Sequence, residues 1–305
     1  MNTTNGSGVA GADAARNTLE YSSHWRSRWR RRHNYSSQTK VKRFQWLLAR
    51  SGLIRLEKGA VIDQGFGMGL MLFCFPTSWR IAGLELDAQG VAETAREAQQ
   101  RGYTNVDLRK YAPGSAYPAE WDGSFDVAIS SHVLEHMQNP KAGLAALCRL
   151  LKPNGTACLV VPINEKPGDD LNHFSHFSEA SFLELLGQCN LEPISTMSCD
   201  RLWHLLAPLG YRQQRKPGPL IRLVSMAANL ATAFLPMGCL RLIDAVLWKA
   251  GCPNRQFLFF AAPGSFFVRA IRSPERWFSA ARFSAASAAH SNACQRIVFA
   301  SVHCR

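Results

Sequence analysis

The chemistry-bearing residues of this 305-residue chain lie at the ends of short apolar runs. In VIDQGFGMG, residues 61–69, the apolar run Ala60 to Ile62 leads into Asp63 and then a glycine at every second position, Gly65, Gly67 and Gly69. Such glycines serve where side chains would block a tight turn or the approach of a ligand to the backbone. A second run, Ile81 to Leu84, ends on Glu85, and a third, Phe125 to Ile129, ends on Ser130, Ser131 and His132. A strand, a glycine loop, a helix and an acid about twenty residues on describe a site for a nucleotide-like ligand. Histidine at a strand end is suited to general-base work. His173 and His176, in NHFSHFS, have the i, i+3 spacing of a metal pair, but no third ligand stands at helpful spacing, so no metal is expected.

The elements that position these residues follow from periodicity. Val41, Phe44, Trp46, Leu47 and Leu48 crowd one side of a helix predicted over Thr39–Arg50. Leu70 to Phe75 reads as the first turns of a helix, broken at Pro76. A helix is predicted over Ala88–Gln100 with Asp87 as N-cap, a weak strand over Asn105–Arg109, and a helix through Leu144 and Leu147 that stops at LKPNG. A fifth strand over Ala157–Val161 and a helix over Ser178–Gln188 follow, then strands at Leu191–Ser198 and Gln256–Ala262. Alternation of this kind predicts an α/β, Rossmann-like doubly wound and mostly parallel sheet, with an antiparallel last strand. Ligands of such sheets sit outside the carboxyl ends of the strands.

Dinucleotide sites call for G-x-G-x-x-G, and here Leu70 occupies the third glycine's place. Asp63 would repel a pyrophosphate but attract an ammonium or a sulfonium. S-adenosyl-L-methionine carries both cations, no phosphate, and a ribose diol for Glu85. Residues 60–200 resemble the class I S-adenosylmethionine-dependent methyltransferases of the small-molecule type, through VIDQGFGMG, GLELD, SFDVAISSHVLEHMQNP, LLKPNGTACLVVP and HFSHFSEASFLELL. The resemblance implies cofactor contacts from Asp63, Gly65, Gly67 and Glu85, with Ser130 and Ser131 lining the cofactor's methyl-transfer site, His132 near it, and His173 and His176 on the substrate side. Directly after the fourth strand, His132 is the candidate catalytic base, its alternative a polar lining residue. The acid many relatives place after the third strand is replaced here by Arg109, Lys110 and Tyr111, with Asp107 slightly early. Glu135 is either a partner of His136 or a helix-start acid, and Asp126 is structural.

Composition frames the partners. The net charge of +13 is uneven: residues 24–43 hold six Arg and two Lys, no acid, and interleaved Trp25, Trp29 and Tyr35. Nucleic acid is a disfavoured substrate, because SSHV stands where base-amine methyltransferases carry an Asn or Asp, Pro, Pro, aromatic motif. Residues 1–38 are expected to form a basic, partly disordered arm, 39–264 the methyltransferase domain, with 202–252 as an apolar helical insertion or lid, and 265–305 a poorly ordered tail. Leu223 to Leu240 is eighteen uncharged residues between Arg222 and Arg241, the lower limit for a spanning helix, but it is interrupted by Asn229, Pro236 and Gly238. An acceptor that is a small molecule, a sugar or a lipid-linked amphiphile is expected, with peripheral membrane contact. The first twenty residues lack an apolar signal stretch and the nine cysteines show no CxxC spacing, so a cytoplasmic location with reduced thiols is expected. The alternative is an inactive cofactor-binding adaptor that holds nucleic acid or membrane through its arm.

Overall fold

A computed structural model describes residues 35–53, 56–112, 115–165, 170, 172–199, 201, 220, 223, 227, 231, 234–252 and 256–263. Its centre is a seven-stranded sheet in the order β3-β2-β1-β4-β5-β7-β6. The strands are β1 (Ala60–Gln64), β2 (Arg80–Glu85), β3 (Val106–Lys110), β4 (Phe125–Ser131), β5 (Leu151–Pro162), β6 (Leu191–Cys199) and β7 (Gln256–Pro263). The first five pair in parallel, and β7 lies antiparallel between β5 and β6. The expected doubly wound sheet with an antiparallel last strand is therefore present, and the last strand is internal to the order.

Helices α1 (Tyr35–Ser51), α2 (Ala88–Gln100), α3 (Pro140–Arg149), α4 (Glu179–Gln188) and α5 (Met237–Lys249) accompany the sheet. The side chain of Asp87 accepts from Gly90 N at 3.0 Å, giving α2 its expected N-cap. Ser178 and Ser181 form a reciprocal capping box at the start of α4. One core layer holds Ile62, Leu84, Ala128 and Leu159 against α3 and α4. The other holds Val61, Ile81, Ile129 and Val160 against Phe44, Leu47 and Leu48 of α1. This alternation follows from the strand period of two.

Three expectations are corrected. Helix α1 is already running at Tyr35, so the boundary between arm and domain at residue 38 falls inside it. Between the glycine loop and β2 there is no α-helix, only a 3-10 turn over Leu72–Cys74. Six residues separate Gly69, at φ 67°, from Pro76, and proline holds Phe75 extended, at φ −93° and ψ 156°. LKPNG does end α3 at Arg149, yet it also forms the irregular entry to β5, where Phe125 pairs with Leu151 and Val127 with Thr156. The expected arm before residue 35, most of the 202–252 insertion and the 265–305 tail lie outside the described residues. Among the described residues, no helix is long and apolar enough to cross a membrane.

Candidate functional site

The register of the parallel strands gathers the site. Asp63 lies beside Gly83 and Ile129, and Gln64 beside Leu84 and Ser130. Asp63, Glu85, Ser130, Ser131 and His132 thus share one edge of the sheet, outside the carboxyl ends of β1, β2 and β4.

The glycine loop folds back on β2. Gly65 N donates to Leu84 O at 2.8 Å, and Gly67 N donates to the Glu85 carboxylate at 2.7 Å. Gly65 and Gly67 have φ of 67° and 51°, the left-handed region that side chains avoid. A Cβ at Gly65 would lie 2.5 Å from Val133 Cγ2, so packing also requires glycine there, whereas at Gly67 a Cβ would meet nothing within 4 Å. The backbone at Gly67 is open to a ligand. Glu85 is 3% exposed and also accepts from Leu86 N at 2.8 Å, so the acid expected at the ribose is seen here organising the loop. Burial first, with these hydrogen bonds opposing it, raises its carboxyl above the ordinary range.

Asp63 is 2% exposed, and among the described residues its Oδ1 has no hydrogen-bond partner. Burial pushes its carboxyl well above the usual range, the charge of Lys40 opposes the shift and Glu85 adds to it. Lys40 arrives from α1, its Nζ donating to Ser131 Oγ at 3.2 Å. Burial lowers its ammonium, against the pull of Asp63 and Glu135. Asp63 and Lys40 are thus buried close enough for each to act on the other's charge. Ser130 and Ser131 part company: alternation places Ser131 with Ile129 and Lys40, and Ser130 on the other face with Ala128. Ser130 is 1% exposed and its Oγ also has no partner among the described residues.

His132 closes β4 at φ 56°. A non-glycine residue held there is strained, and such strain collects at functional sites. His132 N donates to Val160 O at 2.9 Å, and Nδ1 lies 3.1 Å from Glu135 Oε1. Burial alone would raise the Glu135 carboxyl, but the His132 hydrogen bond and the charges of His132 and His136 hold it below its usual range. With Nδ1–H donating to Glu135, Nε2 remains the basic nitrogen. Glu135 thus stands in the first turn of the 3-10 helix Leu134–His136, hydrogen-bonds His132 and also feels the charge of His136.

His173 lies beside this edge, its Nδ1 2.6 Å from Glu165 Oε2 and its ring 4.7 Å from that of His136. His176 does not join it: it is exposed and lines a shallow depression with Pro140, Ser181 and Glu184. Asp107 is engaged elsewhere, accepting from Arg109 Nε at 2.8 Å, Arg109 Nη2 at 2.9 Å and Trp121 Nε1 at 3.1 Å. Asp126 is structural, accepting from Ala60 N at 2.8 Å and from Lys152. The described cysteines are all free thiols, with Cys158 and Cys199 buried.

Sequence reasoning missed Lys40 and gave Glu135 two roles. Lys40 had been counted only within the basic run, and its place on the apolar helix that covers β1 was the available signal.

Comparison with known proteins agrees with this geometry. Residues 62–159 match the family described as "Methyltransferase domain". Over 108 residues the chain is 28% identical to ubiquinone biosynthesis O-methyltransferase of Psychrobacter arcticus, covering 35% of this chain and 42% of that protein. Over 109 residues it is 33% identical to nocamycin O-methyltransferase of Saccharothrix syringae, covering 34% and 38%. The chain therefore spans about two fifths of the length of these relatives. Among solved structures, the 1,6-didemethyltoxoflavin-N1-methyltransferase of Burkholderia thailandensis shares the fold, with TM-score 0.51, 17% identity, and coverage of 86% of this chain and 92% of that one. A sarcosine dimethylglycine methyltransferase-like structure from Galdieria sulphuraria gives 0.50 at 18% identity, with coverage of 74% and 85%. Residues 62–159, which carry the glycine loop, Glu85 and the β4 edge, are a methyltransferase domain of the class I S-adenosylmethionine-dependent type.

Proposed function

We propose that the chain transfers a methyl group from S-adenosylmethionine to an oxygen of a small or amphiphilic acceptor. The observation that carries this is a buried Asp63 oxygen without a hydrogen-bond partner among the described residues, within reach of the Lys40 charge, at the sheet edge where the backbone of Gly67 is also open. A ligand with an ammonium and a carboxylate on neighbouring atoms satisfies both groups, and the methionine part of the cofactor is such a ligand. Asp63, Gly67 and Lys40 would hold that part and Glu85 the ribose hydroxyls, through the oxygen that accepts only from Gly67 N and keeps a second lone pair, the other accepting from both Leu86 N and Asp87 N. When bound, the cofactor supplies an activated methyl group on a sulfonium leaving group.

The chain's own contribution is alignment and proton removal. Positioning is worth up to about 7–11 kcal/mol in such displacements. His132 stands at the β4 edge with Glu135 fixing its tautomer, so that Nε2 can accept the proton of an acceptor hydroxyl, an arrangement analogous to the base and orienting carboxylate of hydrolytic triads. Oxygen as the acceptor atom is supported by the O-methyltransferases that the chain resembles.

An amphiphilic acceptor and peripheral membrane contact are supported by α5. It turns Asp244 inward, to Arg43 of α1 at 2.8 Å, and leaves Leu242, Val246 and Trp248 exposed. Leu220, Leu223 and Phe234 are exposed as well, so apolar residues face outward where polar ones are ordinary. The test of function is transfer of labelled methyl groups to separate extracts of water-soluble metabolites and of lipids. Incorporation into a product whose label is carried on oxygen supports the proposal. Incorporation only on nitrogen or carbon, or none in either extract by a protein that binds the cofactor, would overturn it.

A further inference from the structure

Beside the β4 edge, two chain segments are clamped together. The 3-10 turn Leu134–His136 follows β4, and the carbonyl of Glu135 accepts from Phe174 N at 2.8 Å and from Ser175 N at 3.0 Å. Ser175 Oγ donates to Met137 O at 3.0 Å, closing the clamp. It brings Glu135, His136 and His173 together, with one ligand atom from each no farther than 4.8 Å from the others.

Each side chain is oriented for a cation. His136 Nδ1 lies 3.0 Å from the carbonyl of Asn172, which can only accept, so this nitrogen carries the proton and Nε2 the lone pair. His173 Nδ1 faces Glu165 Oε2 at 2.6 Å, so that with its proton directed there Nε2 carries the second lone pair, and Asp170 Oδ2 stands 3.7 Å from that Nε2, a further carboxylate at the rim of the cluster. An imidazole whose outer nitrogen donates to a carbonyl or carboxylate is the arrangement that orients metal-bound histidine. Glu135 is fully buried; one oxygen meets His132, and the other has no hydrogen-bond partner among the described residues. A buried carboxylate oxygen without a partner is costly, and a cation would satisfy it.

We propose that Glu135, His136 and His173 form a site for a divalent transition cation of the zinc type, with Glu165 as the residue that positions His173. Two imidazoles and one carboxylate suit zinc or cobalt rather than magnesium or calcium. Bonds of about 2.0–2.2 Å would draw the three ligand atoms to about 3.3–3.6 Å from one another, a closure that side-chain rotation can supply. Three protein ligands leave a further position open, on a carboxylate shared with His132. The pairing suggested by spacing, His173 with His176, is replaced by one made across the fold. The site stands on this cluster and not on methyl transfer.

The test uses tag-free full-length chain, freed of metal with a chelator and titrated with Co2+ as a spectroscopic probe. One equivalent should bind with visible absorption bands and be displaced by Zn2+. His136→Gln and His173→Gln should each weaken binding at least tenfold and Glu165→Gln about 10–100-fold, while His176→Gln leaves it unchanged. Should a variant fail to fold, the wild type decides: Co2+ should displace the ring-proton resonances of His136 and His173 far more than those of His176. No stoichiometric uptake, equal uptake by all variants, or shifts centred on other histidines would overturn the proposal.

Discussion

At the residue scale, the proposed site separates into groups that would hold the cofactor and groups that would move a proton. Asp63, Glu85 and His132 were legible in sequence because each follows an apolar run and strand ends converge in a parallel sheet, and Gly65 and Gly67 because of their alternate spacing. Lys40 was not, since its role depends on which helix covers β1 and at what rotation, and helical periodicity says only that Phe44, Leu47 and Leu48 face inward. His176 was misleading for a related reason: its i, i+3 spacing from His173 does not survive in a segment that is not helical there. His132 carries the sharpest residue-level expectation. His132→Ala should lower kcat by about 10²–10⁴-fold for a hydroxyl acceptor, with cofactor affinity nearly unchanged, because the imidazole acts on the acceptor's proton. An unchanged kcat in steady-state assays would remove it from the chemistry.

At the element scale, the helices and strand ends are held by a few ion pairs whose loss should be measurable. Arg43 of α1 is 1% exposed and pairs with Asp244 of α5, which also accepts from Arg201 N at 3.1 Å. Asp244→Ala would leave a buried guanidinium without its carboxylate and should cost about 3 kcal/mol or more in urea unfolding. On the outer face of the same helix, Leu242→Ser should cost under about 0.5 kcal/mol. Equal losses would show that α5 is held by its apolar residues instead. On β3, burial opposes the charge of Asp107, but the Arg109 hydrogen bonds, aided by Trp121 and Arg80, hold its carboxyl below the usual range. A depressed pKa gives stability that is present above the unfolded-state value of about 3.9 and is lost as pH falls through the folded one. Asp107→Asn should therefore destabilise the protein by about 1–2 kcal/mol at pH 7, a gap that closes below about pH 4. A gap independent of pH would mean that the amide's shape, not the charge, matters. The order of these elements was readable from apolar periodicity. The shortened crossover after the glycine loop was not, because Leu70 to Phe75 has helical composition and only Gly69 and Pro76 together deny it the length.

At the scale of the whole molecule, the sheet brings the glycine loop, His132 and the histidine cluster to one edge, and α1 links that edge to α5. The guanidinium groups of Arg50 and Arg241 lie over the Trp46 ring at 4.8 and 4.7 Å, so cations border the apolar face of α5. Cations beside exposed Leu242, Val246 and Trp248 suit an anionic interface. The protein should float with anionic liposomes at low salt and be released at high salt, and a Leu242→Asp, Val246→Asp pair should abolish flotation. Flotation that is absent, or indifferent to that pair, would leave only a small-molecule acceptor.

All of this depends on whether the sheet edge at Asp63 and Lys40 takes the cofactor. Calorimetric titration of the full chain with S-adenosylhomocysteine tests that directly, since the product shares the cofactor's ammonium, carboxylate and ribose. The account expects one site per chain, with affinity lowered at least tenfold, about 1.4 kcal/mol, by Asp63→Ala and separately by Lys40→Met in variants whose unfolding midpoint shows them folded. No binding by the wild-type chain, or binding that neither substitution weakens, would contradict it.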